Sequence, residues 1–365
     1  MSTVKANTYQ DASGGSNAVF SGVASPPNSM GFRNRILNGD CRIDQRNAGA
    51  SVSFNTSSNF PVDRFKTYNT VGSGSTAQRS TTVPAGFKNS ILFTVGTGAS
   101  PGAADECRFF QAIEGFNVAD LGFGTANAQS VTISFRVRSS ITGTYALNLR
   151  NDAGNRSYVA TYTIDAANTW ETKTVTIAGD TSGTWATDNS TGIMLRFDLG
   201  SGSNANTTAG AWQAGNFGRT SACVNWIATS GATFYITGVQ LEAGTVASPF
   251  ERRDYGRELA MCQRYYRPFG RGVFGFWSQT TEVVFPIILQ PEMRAAPTAT
   301  ILKTDMNISD GTAGRIGSPA VAAAISTNFG LGADLVINGF TGATQFRPAS
   351  SNNSSVNLFA FSAEL

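Results

Sequence analysis

Phe234-Tyr-Ile-Thr-Gly-Val-Gln-Leu-Glu-Ala-Gly-Thr-Val-Ala-Ser-Pro-Phe-Glu-Arg-Arg-Asp-Tyr-Gly-Arg-Glu-Leu-Ala-Met-Cys-Gln-Arg-Tyr-Tyr266 divides into a strand and a helix with no linker between them. Its first part, Phe234 to Leu241, combines aromatic and β-branched residues in the manner of the closing strand of a β-sandwich. From 251 to 267 the period changes: Tyr255, Leu259, Cys262 and Tyr266 are spaced four, three and four, as on an amphipathic helix with a heptad seam. Fewer than about three heptads do not hold together alone. The seam therefore predicts packing either on the chain's own sandwich or, as the adopted reading, against symmetry copies.

Upstream of this stretch the apolar residues alternate. Val131, Ile133, Phe135 and Val137 fall on one side of a strand and Thr132, Ser134, Arg136 and Arg138 on the other. Tyr145, Leu147 and Leu149 alternate with Ala146, Asn148 and Arg150, and Thr172, Thr174 and Thr176 with Lys173, Val175 and Ile177. Cys41 and Ile43 are read as facing away from Arg42, Asp44 and Arg46 on a further strand. Many one-sided strands in series predict an all-β chain: an antiparallel, jelly-roll-like β-sandwich over 31–250.

The helix at 251–268 then connects to a second, smaller β domain over 269–365. Its strand signals include Gly270-Arg-Gly-Val-Phe-Gly-Phe-Trp277, Thr281-Glu-Val-Val-Phe-Pro-Ile-Ile-Leu289, Leu335-Val-Ile-Asn-Gly-Phe340 and Val356-Asn-Leu-Phe-Ala-Phe-Ser362. Phe274 and Phe276 alternate with Trp277 and are expected in the core, while Asn307 to Arg315 and Ser350 to Ser355 are candidate distal loops. Residues 1–30 hold Gly, Ser, Asn and Pro26-Pro27 with scattered apolar residues, which predicts an extended arm that orders on a partner.

The composition excludes several functions. Of 365 residues, 41% are hydrophobic but only 14% are charged, against roughly 25% in an average soluble protein. Gly numbers 39 and the surface is left to Ser, Thr and Asn, a coat suited to neutral polar partners such as glycans. A net charge of +3 gives no stripe for a phosphate backbone, so no nucleic-acid partner is expected. No apolar run approaches 18 residues, so no membrane insertion is expected. Cys41, Cys107, Cys223 and Cys262 lack metal or redox spacing and are read as buried thiols made in a reducing cytoplasm. There is no His, which removes the usual general base, the Ser/His and Cys/His nucleophile systems and nearly all catalytic zinc sites.

An enzyme would have to work with carboxylates. Asp40 and Asp44, four apart on the expected strand, would stand about 13 Å apart, beyond the usual pair, and Arg42 and Arg46 interleave with them as an ion-pair ladder. Asp105 and Glu106 are adjacent and point oppositely when extended. No catalytic residue is therefore assigned. Sugar recognition needs flat aromatic faces beside amide and hydroxyl donors. Trp185, Trp212, Phe217 and Trp226 lie in Gly/Asn/Thr-rich surroundings, with Gln213 and Asn216 beside Trp212. Each aromatic in a β-sandwich is nevertheless more often core than platform.

Three groups of motifs carry a resemblance. Asn168-Thr-Trp-Glu-Thr-Lys-Thr-Val-Thr-Ile177 and the strand from Phe234 to Leu241 resemble the jelly-roll sandwich of carbohydrate-binding modules. Gln240-Leu-Glu-Ala-Gly244, Pro249-Phe-Glu-Arg252 and Cys262-Gln-Arg-Tyr-Tyr266 resemble, in this order, a segment of tailed-bacteriophage tail fibres, tail spikes and other appendages. Asn34-Arg-Ile-Leu-Asn-Gly-Asp-Cys-Arg-Ile-Asp-Gln-Arg-Asn47, Val62-Asp-Arg-Phe65 and Pro291-Glu-Met-Arg-Ala-Ala-Pro297 resemble the same proteins. The resemblance implies a virion protein assembled in the host cytoplasm, a homotrimer fixed to other virion proteins through residues 1–30 and binding host surface glycan or protein. It implies no cofactor, with a structural calcium as an option near Asp180 to Asn189 or Asn151 to Asn155. A collar, head-fibre or decoration protein and a carboxylate-dependent glycan depolymerase stand as the alternatives.

Overall fold

The computed structural model describes residues 32–365 apart from 271, 304–305, 313, 318–323, 329–331 and 352–356. The arm expected over 1–30 lies outside the described residues.

Twelve strands build the first part: β1 (Val52–Ser53), β2 (Lys66–Asn69), β3 (Thr76–Ser80), β4 (Ser90–Thr94), β5 (Cys107–Glu114), β6 (Val131–Ser139), β7 (Gly143–Arg150), β8 (Ser157–Ile164), β9 (Glu171–Ile177), β10 (Thr191–Asp198), β11 (Trp212–Gln213) and β12 (Thr233–Ala243). They form two six-stranded antiparallel sheets, β1-β3-β4-β12-β6-β9 and β11-β8-β7-β10-β5-β2. Their inward residues make one aromatic core, in which Phe93 stacks on Phe109 at 4.6 Å and Phe109 on Phe197 at 4.9 Å. The alternation at 131–138 and 145–149 is realised: Val131, Ile133, Phe135, Val137, Leu147 and Leu149 are fully buried. The jelly-roll-like sandwich is thus the fold of this part.

The opening segment departs from its expected form. Residues 36–50 form turns, not a strand. Asn38 and Cys41 have positive φ, 56° and 59°, which breaks any alternation there. With no ladder partners, the backbone is held by side chains. Asn34 Oδ1 accepts from the Ile36 and Leu241 amides at 3.0 Å each, and Asn34 Nδ2 donates to the Val239 carbonyl. Asn38 Nδ2 donates to the Ile43 and Asp63 carbonyls at 2.8 and 2.9 Å. Gly39 sits so close to the Val239 carbonyl that any Cβ would collide with it. It docks where β12 bulges between Thr237 and Gln240, around Gly238 at φ 63°.

The one α-helix among the described residues, α1 (Tyr255–Gln263), is capped by Asp254, whose side chain accepts from the Arg257 amide at 3.2 Å. It is shorter than expected, and Tyr266 lies beyond it in the next strand. The seam is corrected too: Cys262 and Tyr266 are buried by the chain itself, Leu259 is half-buried and Tyr255 stands 54% exposed, so the four cannot form a common contact with symmetry copies. The cause is polar. Glu258, 4% exposed, accepts from the Asn38 amide at 2.5 Å and faces Arg253 at 3.3 Å. Arg253 also donates to the carbonyls of Ile36 and Asn34. Each of these groups would be costly to bury without the others.

Past the helix run β13 (Tyr266–Phe269), β14 (Phe274–Gln279), β15 (Glu282–Ile288), β16 (Thr298–Ile301), β17 (Met306–Ser309), β18 (Gly314–Gly317), β19 (Ala324–Asn328), β20 (Gly332–Asn338), β21 (Pro348–Ser351) and β22 (Phe359–Ser362). They form a three-stranded sheet, β13-β22-β16, and a seven-stranded one, β18-β17-β21-β14-β15-β20-β19. A second core including Trp277, Phe285, Phe340, Phe359 and Phe361 lies among them. The junction reaches this part as well. Arg46 pairs with Glu364 at 2.9 Å and lies 3.7 Å from the Tyr266 ring centre, while Arg64 pairs with Glu364 and lies 3.4 Å from that of Tyr265. Residues 34–365 are accordingly one compact unit.

Replacing Glu258 with Ala removes one of the two carboxylates that face the buried Arg253, leaving Glu251 at 3.3 Å, and takes the acceptor from the Asn38 amide. We expect a loss of about 3–5 kcal/mol in stability, read as a lower urea midpoint, and a smaller loss for Glu258→Gln.

Candidate functional site

The structure separates the sequence-predicted sugar-binding residues. Trp226 is fully buried, 6.4 Å from Phe234 across the core, and no face of its ring meets solvent. As a platform it is excluded by packing. Trp185 and Trp212 join Phe123 in an edge-to-face nest, with centroids 5.0 to 5.8 Å apart, and their indole nitrogens donate to the Ser182 and Ala178 carbonyls. Trp185 is buried and Trp212 half-buried. Their rings pack edge to face on one another.

Gln213, Asn216 and Phe217 lead elsewhere. Gln213 pairs with Ser157 at the edge of the second sheet, and the loop after it turns across that sheet's outer side. Phe217, Ala209 and Cys223 pack there on Ala146 and Val159, a small cluster separate from the main core. This loop roofs the β7 and β8 side of the outer face. At the Glu114 end the face is closed by Tyr265, whose hydroxyl donates to Glu114 at 2.7 Å, and by Arg264.

Between these covers runs a row of cations. Phe109, Leu147, Leu149, Leu195 and Phe197 point into the core, so the alternate residues of β5, β7 and β10 point outward. Arg196 on β10 lies opposite Phe110 on one side and Asn148 on the other, Asp198 lies opposite Arg108, and Met194 lies opposite Arg150. Arg108, Arg196 and Arg150 therefore form a diagonal across three adjacent strands, each a diagonal neighbour of the next at a spacing of roughly 7–8 Å or a little less. Arg196 is 2% exposed. It donates to Asn148 Oδ1 at 2.7 Å, Asn216 Oδ1 at 2.9 Å and the Phe217 carbonyl at 3.0 Å. Arg150 donates to the same Asn216 oxygen at 3.2 Å. Arg108 lies 5.0 Å from the centre of the Tyr68 ring on β2 and pairs with Glu106, and Lys66 on the same strand stands 5.9 Å from the Phe110 ring.

Burial, followed by the charges of Arg108 and Arg150, pushes the Arg196 guanidinium down to about 9, which still leaves it charged at neutral pH. Arg150 is lowered by burial and by Arg108. The face thus offers guanidinium, amide and hydroxyl donors on rigid strands, suited to the oxygens of a polar ligand. Sequence reasoning gives Tyr68, Arg108, Arg150 and Arg196 no ligand role, although each arginine sits at an outward position beside a core residue.

Other candidates are changed by the structure. Asp40 pairs with Arg42 at 2.5 Å, whereas Asp44 accepts from the Asn47 and Gly49 amides; on turns, these do not form the expected ladder. Asp180 is held by Arg156 through two bonds of 2.6 and 2.7 Å, and Asn151 by its own loop. Among the described residues no group of three acidic or sulfur side chains is set for a metal. A recess of about 240 Å³ lined by Asn55, Thr56, Asn69, Ser73 and their neighbours is polar, and its one aromatic, Phe54, is buried. In the second part Trp277 is buried as expected, but Phe274 and Phe276 are 72% and 43% exposed, because their side of β14 is the outer face of its sheet. Asn307 to Ser309 and Ser350-Ser351 are strand residues, and the remainder of those two candidate loops lies in part outside the described residues.

No family model and no curated protein matches the chain. Among solved structures, the enzymatically active domain of bacteriophage CBA120 tailspike protein 4 is similar over 57% of this chain and 21% of its own, at 12% identity and a TM-score of 0.32. The chain thus spans about a fifth of that tailspike chain. A putative sugar binding protein from Bacteroides thetaiotaomicron is similar over 58% of this chain and all of its own, at 12% identity and 0.32. TmCBM61, solved with β-1,4-galactotriose, is similar over 58% and 99%, at 10% identity and 0.29. Likenesses this distant assign no activity.

Trp226→Ala should cost about 3–5 kcal/mol of stability, as a large core truncation does. Its melting transition should fall by several degrees while ligand binding, measured well below that transition, stays within twofold of wild type.

Proposed function

We propose that the chain is an appendage protein of a tailed-phage particle that holds host surface glycan without cleaving it. The sandwich of 31–250 is the ligand-bearing domain, 251–268 the connector and 269–365 a second β domain, with residues 1–30 attaching it to other virion proteins. The observation that carries this reading is the outer face of β2, β5, β10 and β7, where planar guanidinium and amide groups stand on a rigid sheet. Such groups bond pairs of ring hydroxyls with little loss of side-chain freedom. The motif blocks at 34–47, 240–252 and 262–266 support the phage identity by resemblance.

Binding without cleavage fits the state of the acids. Asp40 faces Arg42, Glu114 faces Arg264 and Asp198 faces Arg219, and the chain has no His. In a trimer, weak sites gain roughly 10²–10⁴ from acting together. The helix seam cannot make that trimer. The outer face of β14 and β15 is the better contact: Phe274, Phe276 and Ile288 are exposed there, on strands whose other side, Trp277, Phe285 and Ile287, is core. Strands apolar on both sides are usually covered on both, and a second copy of this chain is the occupant proposed.

Sedimentation should give a trimer at micromolar concentration and a folded monomer for Phe276→Asp with Ile288→Asp. A monomeric wild type overturns the trimer. For binding, the purified chain should be captured on bacterial surface polysaccharides, with capture constant from pH 6 to 8 because no side chain here ordinarily titrates in that range. No reducing ends should appear. Their release supports the depolymerase alternative, and labelling confined to a particle's collar or head without glycan capture supports the structural one.

A further inference from the structure

The arginine row goes further than glycan binding in general. We propose that its ligand is an acidic glycan, a sugar chain bearing carboxylate, phosphate or sulfate, whose anionic group sits between Arg108 and Arg150 beside Arg196. This rests on the glycan-binding reading of the same face.

The argument begins with how other buried arginines are treated in this chain. Arg64 has Glu364, Arg253 has Glu258 and Arg219 has Asp198, each carboxylate within ion-pair distance. Arg196 is as buried as any of them, yet among the described residues its nitrogens meet only neutral oxygens, those of Asn148, Asn216 and Phe217. A buried guanidinium without a carboxylate is destabilising, and two like charges on a sheet diagonal add to that. Arg150 and Arg196 nevertheless converge on one amide oxygen, Asn216 Oδ1, where a carboxylate would have neutralised both.

The flanking arginines are only half-buried. Their Nε atoms are enclosed and meet no acceptor among the described residues, like that of Arg64, so an anion would be met by their terminal nitrogens. The acids around the row do not cancel it. Glu106 pairs with Arg108, but Asp198 turns to Arg219 and to the Gly200 and Ser201 amides, and Asp152, whose charge acts on Arg150, bonds it through its backbone carbonyl and not its carboxylate. Lys66 adds a further cation on β2. Cations therefore outnumber unengaged acids on this face, and a planar anion is the ligand that guanidinium groups bind in bidentate fashion. A neutral sugar would leave the charge crowding as it is.

The test uses the full chain and a panel of acidic bacterial capsular polysaccharides, each paired with its carboxyl-reduced or desulfated form, with poly-glutamate as a polyanion that is not a sugar. We expect at least one acidic member to bind tenfold or more tighter than its neutral counterpart. Arg150→Gln and Arg108→Gln should each abolish that preference with their melting temperatures within a few degrees of wild type, and Glu106→Gln, which frees Arg108, should strengthen it a few-fold. Equal binding of the acidic and neutral forms overturns the acidic assignment and leaves the glycan reading standing. Binding of no polysaccharide overturns both, and equal capture of poly-glutamate reduces the effect to general charge attraction and also overturns the assignment.

Discussion

Glu258, held between the Asn38 amide and the Arg253 guanidinium, is the contact on which the rest of the structure depends. The segment 34–47 enters the sandwich without strand pairing, so its backbone groups need partners that no ladder provides. Asn34 and Asn38 of the segment itself and Gln111 of β5 supply several of them. The Asn38 amide is met from the helix, and that requirement draws α1 onto the chain's own body. Once α1 is there, Tyr265 reaches Glu114, and Arg46 and Arg64 reach Glu364 near the chain's end. One polar junction thus fixes three elements distant in sequence.

This explains why the quoted motifs occur as blocks. Gln240 and Glu242 receive the chain at Glu251 and Ser248, Arg253 returns to Asn34 and Ile36, and Gln45 donates to the Tyr266 carbonyl. Arg294, inside Pro291-Glu-Met-Arg-Ala-Ala-Pro297, bonds the Ala363 and Asn189 carbonyls. Residues that looked like candidates for binding or assembly, among them Asp40, Arg46 and Cys262, are thereby accounted for as parts of a buried joint. Charges are few in this chain, and many of them are used here.

The sandwich was legible because one-sided strands announce themselves: Val131, Ile133, Phe135 and Val137 can only be a strand with a single buried face. The opening segment was misread because Arg42, Asp44 and Arg46 mimic alternation, while the positive φ at Asn38 and Cys41 that breaks it has no hydrophobic signature. The seam was misread for a related reason. Spacing shows that Cys262 and Tyr266 are to be covered, but it does not say by what. Trp226 and Trp185 illustrate the same limit, since an aromatic in polar sequence surroundings can still point inward. The arginine row was invisible for a topological reason: Arg108, Arg150 and Arg196 lie on strands that become neighbours only when β10 inserts between β5 and β7.

That insertion also bears on how the face can serve recognition. Core-facing residues of β5, β7 and β10 are tied to the stacked aromatic interior, where a change of volume is felt throughout. Outward residues of the same strands meet no such demand, so their identity can follow a ligand while the fold stays fixed. Arg196 is the exception among them, because it is buried under the loop that carries Asn216 and Phe217. A charge placed there carries a cost in stability, and Asp198 on the same strand is engaged by Arg219 instead, which is why the proposed ligand is sought at this row.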